Sequence, residues 1–144
     1  MKGIFTVAML LGLALIAGCA TAPPSDATAI QGTWKGQEVR NGQAVASWLS
    51  LVGREWEFRA TDGREWDKGI YTLQEGTNPK QLQVVITGSS AAGRVGQTER
   101  AIYQLKQETE AAGTLVITAN EPGNPQTPAG FGDRRARQIV FTRE

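Results

Sequence analysis

Histidine is absent from this chain of 144 residues, and cysteine occurs once, at position 19. The first absence removes Ser-His-Asp triads, histidine acid–base chemistry and zinc sites of the His/Cys type. The second removes any intramolecular disulfide, so a folded domain rests on its apolar core alone. An excess of charge is lacking too, with 15 basic residues against 14 acidic ones. Nucleic-acid binding needs a basic footprint, so no such partner is expected. No Asp-rich loop of calcium-binding spacing is present, and no metal site is expected. With catalytic residue types so depleted, the chain reads as a binding protein without cofactor, not an enzyme.

What is present begins with an apolar run over residues 4–17, which follows Lys2 and contains only Thr6 as an interruption. It is shorter than the ~20 residues of a membrane span, and it has the layout of a cleaved secretory signal. Its last residues, Leu15-Ile16-Ala17-Gly18-Cys19, resemble the lipobox of bacterial lipoproteins. That resemblance implies cleavage before Cys19, a diacylglyceryl group on its thiol, and usually acylation of the new amino group. The neutral Ala20 resembles an outer-membrane sorting signal of Gram-negative type. The implied place is the cell envelope, at the outer membrane facing the periplasm, with the membrane as partner. Two or three acyl chains hold firmly where a single chain binds marginally.

Loss of residues 1–18 leaves 126, one domain by size, and takes Lys2 with it, so 14 basic residues balance 14 acidic ones. Residues 20–29 hold no large apolar side chain and include Pro23-Pro24, which reads as a flexible tether. The expected division is a signal over 1–18, the acylated cysteine and tether over 19–29, and a monomeric folded domain over 30–144.

Within that domain the pattern is strands and turns. Trp56, Phe58 and Ala60 alternate with Glu55, Glu57 and Arg59, the period of two that marks one buried and one wet face. Asn41-Gly42 and Asp62-Gly63 are hairpin turn signals. Eight strands are expected, over 32–40, 47–52, 55–60, 66–74, 82–87, 98–107, 114–119 and 137–143. Short strands with frequent turn signals indicate an antiparallel barrel or sandwich. The small-residue stretch 88–96 reads as a loop. Residues 120–136 form a long connection with Phe131 near its middle, expected to dock as a lid or plug at the mouth.

Gly32-Thr33-Trp34 resembles the Gly-x-Trp motif of lipocalins. The resemblance implies that Trp34 closes one barrel end beneath a basic residue of the last strand, Arg143 or alternatively Arg137. A closer resemblance, over residues 30–143, is to the lipocalin-like domain family of unknown function abundant in planctomycetes. Its motifs are matched by Ile30-Gln31-Gly32-Thr33-Trp34-Lys35, Asn41-Gly42 and Gly69-Ile70-Tyr71. Further along the chain stand Asn78-Pro79-Lys80-Gln81-Leu82, Ile102-Tyr103-Gln104-Leu105 and Gly113-Thr114-Leu115. Two departures are Thr127-Pro128-Ala129-Gly130-Phe131, which lacks the family's Arg, and Val116-Ile117, which replaces its frequent Cys. The implied fold is an all-β, antiparallel, eight-stranded lipocalin-like barrel.

Four tryptophans fall in the first half of the chain. Together they suggest an aromatic-lined cavity for a small apolar or amphipathic ligand, touched by Trp48, Trp56, Phe58, Trp66, Tyr103 and Phe131. Gly32, Trp34 and Arg143 are the expected barrel closure. The acidic residues Glu55, Glu57, Asp62, Glu65 and Asp67 alternate with Arg54, Arg59, Arg64 and Lys68, which reads as ion pairing on a solvated face. The basic run Asp133-Arg134-Arg135-Ala136-Arg137 reads as a solubilising strand edge, or alternatively as a contact for anionic lipid headgroups or an acidic partner. The alternative function is a filled barrel binding a protein or an envelope polymer, as an inhibitor-like or structural module.

Overall fold

The structure is a computed structural model that describes residues 22–144, so Cys19 and the signal segment lie outside the described residues. Eight strands follow in order: β1 (Gly32–Arg40), β2 (Gln43–Val52), β3 (Glu55–Ala60), β4 (Trp66–Gln74), β5 (Lys80–Ser89), β6 (Thr98–Gln107), β7 (Gly113–Ala119) and β8 (Arg137–Arg143). Each pairs antiparallel with the next, and β8 returns to β1 to close a barrel. This is the eight-stranded lipocalin-like architecture. The register turns one residue in two inward, and β1 alternates in this way with Trp34, Gly36 and Glu38 buried. Closure leaves each strand with a neighbour on both sides and the sheet with no free edge strand.

Three strands are longer than the apolar pattern predicts, β7 by a single residue at Gly113. β2 starts at Gln43 because the Asn41-Gly42 turn pairs Arg40 directly with Gln43. Both turn residues have positive φ, 50° and 76°, the conformation of a tight hairpin. β5 runs to Ser89, so the expected loop over 88–96 is shortened to a bend and a 3-10 turn at Ala92–Arg94. Where Lys68 and Gly69 pair with Gly88 and Ile86, Thr87 is left over as a bulge that bends β5 at that level.

The two barrel ends differ. One holds the start of β1, the end of β8 and the short connections β2–β3, β4–β5 and β6–β7. It is packed solid by Trp34, Leu49, Leu51, Leu82, Tyr103 and Leu115, all exposed by 1% or less. Against it lies a short helix, α1 (Asp26–Ala29), where the sequence pattern suggests tether. The Asp26 carboxylate accepts from Tyr103 Oη at 2.8 Å and from Lys80 Nζ at 2.6 Å. Glu75 accepts from the amides of Asp26 and Ala27, each at 3.2 Å. These polar ties give the segment its order without a large apolar side chain, which is why hydropathy does not reveal it. The buried core of the described chain lies between Ala29 and Phe141, so the described segment carries its own core.

The opposite end carries the β1–β2 and β3–β4 turns, the 3-10 turn and the long β7–β8 connection. It stays open.

Candidate functional site

The interior of the open end contains a cavity of about 280 Å³. Its floor is apolar: Trp56 and Phe58 from β3, Val84 and Ile86 from β5, Ile117 from β7, and Ile139 and Phe141 from β8. Each is an inward residue of its strand, and each is nearly sealed from bulk water. Its rim is ionic, with Arg40, Glu65, Asp67, Arg94, Glu99, Glu121 and Arg137. The barrel is therefore packed in one half and hollow in the other.

The rim charges form two clusters. In the first, Glu38 and Glu65 alternate with Arg40 and Arg137. Arg137 holds both Glu38 oxygens, at 2.7 and 2.8 Å, and reaches Glu65 Oε1 at 2.5 Å. Arg40 completes the ring, with 2.6 Å to Glu38 and 2.7 Å to Glu65. Two positive and two negative groups cancel there. The Arg137 guanidinium also lies 5.0 Å above the Phe58 ring, joining the ionic rim to the apolar floor. Burial pushes the Glu38 carboxyl above its ordinary value, opposed by Arg40.

The second cluster is unbalanced. Arg94, from the 3-10 turn, donates to Glu99 Oε2 at 3.3 Å and pairs with Asp67 Oδ2 at 3.1 Å. Glu121 stands nearby on the rim. Burial pushes the Glu99 carboxyl up to about 7, Arg94 opposes the rise, and Asp67 and Glu121 add to it. Asp67 Oδ1 and Arg94 Nε are both buried without a hydrogen-bond partner. Among the described residues, no group of three or more carboxylates or thiols is arranged to hold a metal ion.

Of the six residues expected to touch ligand, only Trp56 and Phe58 line the cavity. Trp48 points outward from β2 and is 48% exposed, paired across the sheet with Lys35 and Arg59. Its outward parity and exposure set the indole on the outer wall. Trp66 opens β4 on the outward parity, with Asp67 taking the inward place beside it. Tyr103 is inside but at the packed end, where its hydroxyl donates to Asp26. Phe131 is not in the mouth: its carbonyl accepts from Gln138 Nε2, and Gln138 also reaches Thr118 Oγ1. Gln138 and Thr118 face outward, so this part of the connection lies over the outer wall. The expected plug is thus a side covering, and only its first residues, Asn120–Pro122 in sequence, reach the rim.

The reading of the β3–β4 carboxylates as a solvated face also needs correction. Glu57 does pair with Arg59 on the exposed surface. Glu65 and Asp67, however, share the inward parity of Gly69 and Tyr71 and enter the cavity. Arg137 likewise turns inward and is no part of a solubilising edge. The same parity places Glu38 and Arg40 with Trp34, and Glu99 with Ala101 and Tyr103. Charges in phase with inward apolar residues at the strand ends nearest the open mouth were the signal for this rim.

The closure expected from Gly32, Trp34 and Arg143 is present. Arg143 lies 4.3 Å over the Trp34 ring and donates to the carbonyls of Gln31, at 2.8 Å, and Ala29. Gly32 has φ of +116°, and a Cβ there would stand 3.3 Å from Arg143 Nη1. Compared with protein-family models, curated proteins and solved structures, the chain matches none.

Proposed function

We propose that this protein is a lipid-anchored envelope protein whose barrel binds a small amphipathic ligand, and that it belongs with the planctomycete-type lipocalin-like domains it resembles. The observation that carries the binding reading is the cavity of about 280 Å³ with its apolar floor and ionic rim. At roughly 30 Å³ for each water-sized unit, it suits a ligand of about nine non-hydrogen atoms. A floor of aromatic and branched side chains holds an apolar body, while a few convergent polar groups fix a head. No catalytic role is assigned to the rim, and the ligand is held without a covalent step.

Anchorage at Cys19 agrees with the orientation of the barrel. The chain enters through α1 at the packed end, opposite the cavity. From Cys19 to Asp26 at most about 25 Å of extended chain is possible. An anchor there keeps the packed end near the membrane and presents the mouth to the aqueous compartment.

Mass spectrometry of the protein purified from its native envelope tests both parts. Under denaturing conditions the mature chain should begin at Cys19 and carry acyl mass. Under native conditions it should retain a small molecule that Ile139→Trp, which fills the cavity floor, excludes. An empty wild-type barrel that also fails to take up an apolar dye would count against ligand binding and favour the surface-binding alternative.

A further inference from the structure

The two ionic clusters of the rim are not equivalent. Around Arg40 and Arg137 two cations meet two carboxylates, and each side satisfies the other. Around Arg94 one cation meets Asp67 and Glu99, with Glu121 adding a third negative charge. Glu121 is exposed at the mouth, but the other two carboxylates are enclosed. The Asp67 side chain is 8% exposed and that of Glu99 18%. Asp67 spends one oxygen on Arg94 and leaves the other buried and unpartnered at the cavity wall. An uncompensated carboxylate in low dielectric is costly, and it is relieved by a proton or by a cation.

Resting on the ligand-binding reading above, we propose that the cavity selects amphiphiles with a cationic, hydrogen-bond-donating head, seated against Asp67, Glu99 and Glu121. The apolar body then lies toward Phe58, Ile117 and Ile139. A protonated primary amine has the required chemistry: three donors, one charge, and no acceptor to be repelled by the rim. An anionic head would meet three carboxylates on this side, while the guanidinium groups opposite are already engaged.

Cation and proton compete for the same surplus. The groups facing Glu99 are Arg94 from the 3-10 turn, Asp67 from β4 and Glu121 from the β7–β8 connection. Near neutral pH the empty site relieves its strain by holding a proton on Glu99. Binding of an ammonium head releases that proton. Observed affinity then rises with pH across the Glu99 titration, by about tenfold between pH 6 and pH 8 for one proton displaced. The amine itself stays protonated over this range.

The test uses octylamine, octanol and octanoate as probes of equal chain length, titrated calorimetrically into the self-contained segment 22–144. Octylamine should bind tightest at pH 8 and about tenfold weaker at pH 6, and in buffers of differing ionisation enthalpy it should release close to one proton at pH 6, about half at pH 7 and almost none at pH 8. Octanol should bind more weakly with little pH dependence. Glu99→Gln should bring octylamine at pH 8 to its pH 6 level. Octanoate binding as well as octylamine, or octylamine without pH dependence, would overturn the head-group assignment and leave the cavity reading standing. Failure of all three probes, with native tryptophan emission intact, would overturn both.

Discussion

A single guanidinium does three things at the packed end of the barrel. Arg143 covers the indole of Trp34, and it donates to the carbonyls of Gln31 and Ala29, which the chain turn into β1 would otherwise leave unpaired. Trp34 in turn donates through Nε1 to Ile30 O at 2.9 Å, so the stack has a fixed orientation. A stacking contribution of ~0.5–2 kcal/mol adds to ~1.5–3 kcal/mol for a charge-assisted hydrogen bond. Arg143→Met should therefore lower unfolding free energy in urea by about 2–4 kcal/mol. Arg143→Lys should recover little of it, because an ammonium cannot stack flat and reach both carbonyls. A lysine variant as stable as wild type would show that charge alone is what matters.

At the scale of elements, α1 shows how polar contacts can order a segment that hydropathy leaves blank. Its carboxylate, Asp26, is held by the Tyr103 hydroxyl from inside the barrel and by the half-exposed Lys80 from the rim of the packed end. The Lys80 pair contributes little by itself, since solvent screens it. The Tyr103 bond is the stronger tie, and burial together with the Asp26 carboxylate raises the phenol above its ordinary value. Tyr103→Phe should cost about 1–2 kcal/mol. It should also accelerate amide exchange at Ala29 and Ile30, whose N–H groups donate to Ser25 O and Asp26 O, without a like change in β3 or β7. Uniform exchange across the chain would instead mean that α1 and the barrel open together. The strands themselves were legible because alternation and turn chemistry act locally. Trp56 and Phe58 sit in phase within β3, and Asn41-Gly42 closes a two-residue hairpin on its own. The ionic rim was not, because Glu38, Asp67, Glu99 and Arg137 are surface residue types whose burial depends on partners up to about a hundred positions away in the chain. Arg137 meets Glu38 across a separation of 99 residues, which no local pattern encodes. Trp48 erred in the opposite direction: an indole reads as core, yet its parity on β2 sets it outside with Lys35 and Arg59.

The molecule as a whole separates stability from binding along the barrel axis. Its packed end holds the solid core around Trp34, Leu49 and Tyr103 and the α1 ties, whereas its open end carries buried charge that no core would choose. That charge has a measurable consequence for the empty protein. Glu99 titrates at about 7 when folded, against an ordinary value of 4.5, because burial disfavours its ionised form. Between those values the folded chain holds a proton that the unfolded chain has lost. The stability this gives is full below pH 4.5 and is lost as pH rises through 7. The shift corresponds to at most about 3 kcal/mol. Glu38 is raised as well, with burial as its leading cause, so it works in the same direction. Asp133 is held below the ordinary carboxylate range by Arg135, but the Arg135 side chain is exposed, so solvent screens the pair and it gives little. Glu99→Gln keeps the shape of the protonated acid and removes its titration. Urea unfolding at pH 5 and pH 8 should thus find wild type losing as much as about 3 kcal/mol relative to Glu99→Gln over that interval. An unchanged difference between the two proteins would mean that water or a counter-ion already compensates the Asp67–Arg94–Glu99 cluster, and that the open end stores no unfavourable charge for a ligand to relieve.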